Sequence, residues 1–123
     1  MEIKDLTKAE EQIMQIVWQI KKGFVKEVVD LLPEPKPAYN TVSTIIRILE
    51  TKGFIAHEPA GKAHLYYPII SLEDYKRHAT DKLLGNYFGN SVESMFSFFV
   101  KEEKLDVKDV DDILKMINEL KKK

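Results

Sequence analysis

Apolar residues recur along the first half of the chain at helical spacing, then at the spacing of strands. Thr7-x-x-Glu10 opens the first segment as a capping box, in which hydroxyl and carboxylate each satisfy an otherwise unpaired backbone N–H. Ala9, Ile13, Ile16, Val17 and Ile20 follow on one helical face, and Gly23, after Lys21 and Lys22, is placed as the stop. Val25, Val28, Val29 and Leu32 line a short second helix that Pro33 ends. Pro33, Pro35 and Pro37 make a stiff connector, because each removes a donor and restricts its predecessor. A third helix is predicted from about Tyr39 to Lys52, with Val42, Ile45, Ile46 and Leu49 as its buried stripe and Gly53 as a left-handed terminator.

The period then shortens to roughly two. Phe54–Glu58 reads as a strand, Pro59-Ala60-Gly61-Lys62 as a turn and Ala63–Ile69 as the return strand of a hairpin. The second half has no proline and reads as helical. Ser71-x-x-Asp74 resembles a capping box and opens a helix through about Leu84. Ser91 caps a second, containing Val92, Met95, Phe96, Phe99 and Val100. Asp106 caps the last, whose stripe is Val107, Val110, Ile113, Leu114, Ile117 and Leu120. Asp106, Asp109, Asp111 and Asp112 crowd its start and Lys121–Lys123 its end, as the helix macrodipole favours. The expected fold is mostly α with a small β-hairpin. Residues 1–70 form one domain and residues 71–123 a helical second one.

Composition narrows the function classes. The 123 residues include no cysteine, which excludes a disulfide scaffold, thiolate metal sites and a cysteine nucleophile. No apolar run is long enough to span a bilayer, and the charged start MEIKDLTKAEEQ is unlike a signal peptide, so a cytoplasmic protein without membrane insertion is expected. With 19 Lys+Arg against 20 Asp+Glu, the chain is not a uniformly basic nucleic-acid binder, but a local basic patch remains open.

No constellation for catalysis stands out, and no enzyme activity or cofactor is expected. The histidines His57, His64 and His78 lack the spacing of a helical metal pair, and Ser91 and Ser94 have no histidine nearby in sequence. His57 and His64 can approach each other across the hairpin. Two solvated or DNA-facing wing residues is the preferred reading there, with a zinc site as the lesser alternative and no metal expected.

The polar side of the third helix is more informative. Asn40, Ser43, Thr44 and Arg47 sit at i, i+3, i+4 and i+7, with Thr41 beside them. A solvated face would ordinarily carry Glu and Lys, which favour helix, whereas Ser, Thr and Asn are poor helix formers. Two readings are open. The stripe is a major-groove reading face, since Asn pairs with adenine, Arg with guanine or phosphate, and Ser or Thr with either. Alternatively it is a capping cluster at a helix start. The order of helices followed by a hairpin is that of a winged helix-turn-helix, which favours the first. Lys62 at the wing tip and His64 beside it would then reach the DNA backbone. From Lys36 to His64 four basic residues (Lys36, Arg47, Lys52, Lys62) stand against two acidic ones (Glu50, Glu58).

The strings LTKAEEQIMQIVW, VKEVVDLL, AYNTVSTIIRILETKGFI and GKAHLYYPII resemble the penicillinase-repressor family of bacterial winged-helix regulators. Residues 4–70 carry the close match; residues 71–123 match in helix pattern and in SFFVKEEKLDVKDVDDILKMI. The resemblance implies a homodimeric transcriptional repressor on a palindromic double-stranded operator, with the C-terminal helices as the dimer interface. It also implies induction by proteolysis of the repressor, triggered by a membrane sensor metalloprotease. Two departures stand out. Copper-responsive relatives carry a C-terminal cysteine cluster that this chain lacks. Penicillinase-type members are cut at an Asn-Phe bond, where the aligned position here reads Phe98-Phe99, within Ser97-Phe98-Phe99-Val100.

The dimer also answers to the pattern. Val92, Met95, Phe96, Phe98, Phe99 and Val100 are apolar almost all round, which implies burial on more than one side. Folding back onto the first half is one way to cover them. A second copy covers them better, together with Val110, Ile113, Leu114 and Ile117. A winged helix that binds proteins instead of DNA is the alternative function.

Overall fold

A computed structural model describes residues 2–121 as six helices and one hairpin. Three helices, α1 (Lys8–Ile20), α2 (Val25–Leu31) and α3 (Tyr39–Thr51), precede β1 (Ile55–Ala60) and β2 (Ala63–Pro68). Then come α4 (Leu72–Phe88), α5 (Val92–Lys101) and α6 (Val107–Lys121). This is a winged helix-turn-helix followed by further helices. The chain divides into two compact units, one through His78 and one from Ala79. Lys122 and Lys123, expected at the end of the last helix, lie outside the described residues.

The caps explain where most helices begin. Thr7 Oγ1 accepts from the Glu10 N–H at 3.2 Å, and Glu10 Oε1 accepts from the Thr7 N–H at 2.8 Å. The expected box is therefore complete. Ser91 caps α5 by accepting from the Ser94 N–H at 3.0 Å. Asp106 and Asp109 cap α6 reciprocally, at 2.9 and 3.2 Å. The Ser71 box is only half made: Ser71 accepts from the Asp74 N–H, while the Asp74 carboxylate turns forward to Arg77 at 2.7 Å.

Several local expectations are corrected. Ala9 is exposed and Met14 is fully buried, so the inward stripe of α1 passes through Glu10. The third-helix stripe holds at Val42, Ile46 and Leu49, while Ile45 is half-buried. Lys21 (φ 70) carries the left-handed step after α1, rather than Gly23. Gly23 instead exchanges two backbone hydrogen bonds with Tyr66, each 2.9 Å, and a Cβ there would lie 2.6 Å from Ile20 Cδ1. The turn is shorter than expected. The strands run through Ala60 and from Ala63, leaving Gly61-Lys62, with Gly61 at φ +66, as a two-residue hairpin favours. α4 runs on to Phe88, beyond Leu84.

One core serves the first unit. Met14 and Val17 of α1, Val28 of α2, and Val42, Ile46 and Leu49 of α3 close around Phe54 and Ile55. Trp18 packs on the rim and donates its indole N–H to the Ile70 carbonyl at 2.9 Å. Tyr75, early in α4, lies against both Trp18 and Phe54. Glu10 is the charged residue buried in this unit, and Lys52 meets it at 2.6 Å. Burial pushes the Glu10 carboxyl up, but the Lys52 ammonium and the Thr7 hydrogen bonds outweigh it, and the net direction is down.

The second unit is different in kind. No described residue after Ile70 is buried. Met95, Phe96, Phe99 and Ile113 are half-buried, and Val92, Val110, Leu114 and Ile117 are exposed.

A carboxyl held below its usual range stabilises the fold above its unfolded value, and that contribution is lost as pH falls through the folded value. Glu10→Gln is therefore expected to cost about 1–3 kcal/mol at neutral pH. Its deficit against the native chain should vanish once Glu10 is protonated. Urea midpoints across an acid pH series measure this, and a deficit independent of pH would contradict it.

Candidate nucleic-acid interface

The outward face of α3 begins where the helix has no side-chain cap. Ala38 occupies the cap position and the first turn holds no acidic residue. Asn40 and Thr41 lie inside the helix, so the capping account of this polar cluster does not hold. The first N–H groups are left pointing outward, which favours an anion at that end.

Asn40, Thr41, Thr44 and Arg47 are exposed, and Ser43 is half-buried at the edge of the same face. The Thr44 hydroxyl donates to the Asn40 carbonyl at 2.9 Å and accepts from the Arg47 guanidinium at 3.5 Å. Thr51 donates to the Arg47 carbonyl at 3.1 Å. These contacts hold Arg47 along the helix while leaving most of its donors outward.

The hairpin register puts His57, Pro59, His64 and Tyr66 on one face, toward α3. Tyr66 is buried, and burial, followed by the Glu50 charge, pushes its phenol up. Between α3 and the wing lies a groove of ≈ 280 Å³ lined by Phe24, Val25, Tyr39, Ser43, Arg47, Lys62, Ala63, His64 and Tyr66. Four of the expected site residues, Ser43, Arg47, Lys62 and His64, thus meet at one concavity. Asn40, Thr41 and Thr44 lie outside it, on the open face of the helix.

His57 and His64 do approach each other. Their rings stack with centroids 4.1 Å apart and planes 7° from parallel, and His57 Nδ1 lies 2.5 Å from Glu50. Among the described residues no set of three His, Cys, Asp or Glu side chains is placed to hold a metal ion.

The structure redistributes the charges counted in sequence while leaving an excess of two cations. Lys36 Nζ turns back to the carbonyls of Asp30 and Leu32, at 2.8 and 2.7 Å, and closes the end of α2. Lys52 is spent on Glu10. Glu50 faces His57, and Glu58 faces Lys22 at 2.8 Å. Arg47 and Lys62 remain as the outward cations, and no ion pair ties either to a carboxylate among the described residues.

Three residues of this surface escaped the sequence reading. Tyr39, 55% exposed, served there only as a helix boundary, yet it lines the groove. Phe24, which the sequence reading passed over, lines it too. Ile48, 42% exposed, sits beside Thr44 on the polar face, and its break from the buried stripe was a usable signal.

In the second unit, Ser97, Phe98 and Phe99 lie inside α5, with Phe98 against Phe88 at 5.7 Å. Among the described residues no helix is long and apolar enough to cross a membrane.

Comparison with known proteins agrees with this architecture. The chain is 22% identical over 120 residues to the penicillinase repressor of Bacillus licheniformis, covering 97% of this chain and 94% of that protein. It is 25% identical over 120 residues to the penicillinase repressor of Staphylococcus aureus, covering 97% and 95%. A solution structure of B. licheniformis BlaI, in monomeric form with the blaP half-operator, superposes with a TM-score of 0.51 at 27% identity, covering 60% of this chain and 92% of that one. The penicillinase repressor family model matches residues 6–119, and the chain belongs to that family.

Proposed function

We propose that this protein is a transcriptional repressor that binds a palindromic operator as a homodimer. One observation carries the reading: an uncapped, acid-free start of α3 presents Asn40, Thr41, Thr44 and Arg47 outward, with Lys62 of the wing beside them. α3 enters the major groove. Asn40 supplies a donor and an acceptor, and Arg47 paired donors, to base edges, and Thr41 and Thr44 offer methyl groups to thymine. Ser43, Lys62 and His64 face the sugar-phosphate backbone, which fixes register. Residues 1–70 form the reading module.

Residues 71–123 hold the dimer. The support is the apolar surface of α5 and α6, where Val92, Met95, Phe96, Phe99, Val110, Ile113, Leu114 and Ile117 have no buried core of their own. Two modules on one frame read two half-sites, with the second contact effectively intramolecular. Relief of repression by a membrane sensor metalloprotease would act on the segment Ser97–Phe99. Because that segment is helical, a cut there needs local unwinding of α5 first.

Duplex selection from a random library tests the reading. An enriched inverted repeat, bound by two chains with affinity falling steeply in salt, is the expected result. A failure to enrich any duplex would favour a protein-binding winged helix. On the enriched site, Arg47→Ala should weaken binding by about ten-fold or more while leaving the melting temperature almost unchanged. A large drop in melting temperature would make Arg47 structural. Phe96→Glu or Ile113→Glu should give single-chain mass by light scattering and weak, strongly salt-sensitive binding. Unchanged dimer mass would remove α5 and α6 from the interface.

A further inference from the structure

The wing carries two stacked imidazoles in series between a carboxylate and the groove. Glu50 of α3 touches His57, His57 stacks on His64, and His64 lines the groove with Tyr39, Ser43, Arg47 and Lys62. The charged and titratable groups that face this pair are Tyr39, Arg47 and Glu50 from α3, Lys62 from the turn and Tyr66 from β2. Glu58 lies on the opposite face of the hairpin, paired with Lys22.

We propose that the groove between α3 and the wing is a phosphodiester subsite whose occupation takes up a proton at His64. The inference rests on the DNA-binding reading above and adds a proton to its binding equilibrium. Histidine is the side chain that ordinarily changes charge in the physiological range, and a nearby charge moves that change toward the form it attracts. Among the described residues, Glu50 is the carboxylate that meets the pair, and it lies at the His57 end. At the His64 end the groove lining holds Arg47 and Lys62 and no carboxylate, and the two rings lie 4.1 Å apart. A phosphodiester oxygen in the groove supplies the missing negative charge at the His64 end. The groove anion then faces His64 as Glu50 faces His57.

The sign follows from linkage. The bound state holds the additional proton more tightly, so affinity is greatest at low pH and falls as pH rises through the histidine range. His78 is the internal control, because it pairs with Asp5 and takes no part in the groove.

The test is anisotropy titration of the selected duplex at about pH 6 and about pH 8, at constant ionic strength, where histidine charge changes. The native chain and His78→Gln should bind about ten-fold more weakly at the higher pH, the size of one charge-assisted hydrogen bond. His64→Gln, an exposed polar replacement, should bring that ratio close to one. At the lower pH it should also reduce the slope of log affinity against log salt by about one contact. A His64→Gln ratio equal to the native ratio, or no pH effect in the native chain, overturns the proposal while leaving operator binding intact. Absence of binding to any duplex at either pH overturns the DNA-binding reading, and this inference with it.

Discussion

The wing keeps its place through Tyr66. Its backbone exchanges two hydrogen bonds with Gly23 in the corner between α1 and α2, and its ring is buried among the helices. A two-stranded hairpin on its own is marginal in water, so the hairpin needs this attachment to hold a fixed angle. Because side chains alternate along a strand, burying Tyr66 also decides the direction of His64 and His57. A register shift of one residue would send both histidines to the far side and bring Tyr67 and Leu65 in. The relation between α3 and the wing therefore leans on the glycine–tyrosine pair, with Glu50–His57 and Lys22–Glu58 as further ties.

That dependence explains what was legible in the sequence. The elements were legible, because caps and periodicity act locally: Thr7 with Glu10, Ser91, Asp106, and the spacing of Val42, Ile46 and Leu49 each report on a few neighbouring residues. The polar face of α3 was legible for the same reason. The groove was not, since Phe24, Tyr39 and His64 meet through long-range contacts such as the Gly23–Tyr66 pairing. Which cations face outward was not legible for a related reason. Lys36 and Lys52 count as cations in sequence, but their partners, the α2 carbonyls and Glu10, are set by the end of one helix and the packing of two others. Gly23 looked like a helix stop because its long-range pairing leaves no local signature.

The two units follow different physical rules. The first buries a continuous core and even a charged residue, and Glu10 is tolerable there because Lys52 and the Thr7 backbone answer it. No described residue of the second is buried, although α5 and α6 carry as regular an apolar stripe as α1 does. A helix stripe gains its stability from what it is packed against. In the proposed dimer that role falls to a second copy, so ordering of the second unit and pairing of two chains become the same event. The reading modules need no such event to fold. Occupancy of a two-half-site operator would then be set by how firmly α5 and α6 associate. Unwinding α5 around Phe98 would reach the DNA through the loss of the second half-site, with no change at Asn40, Arg47 or the wing.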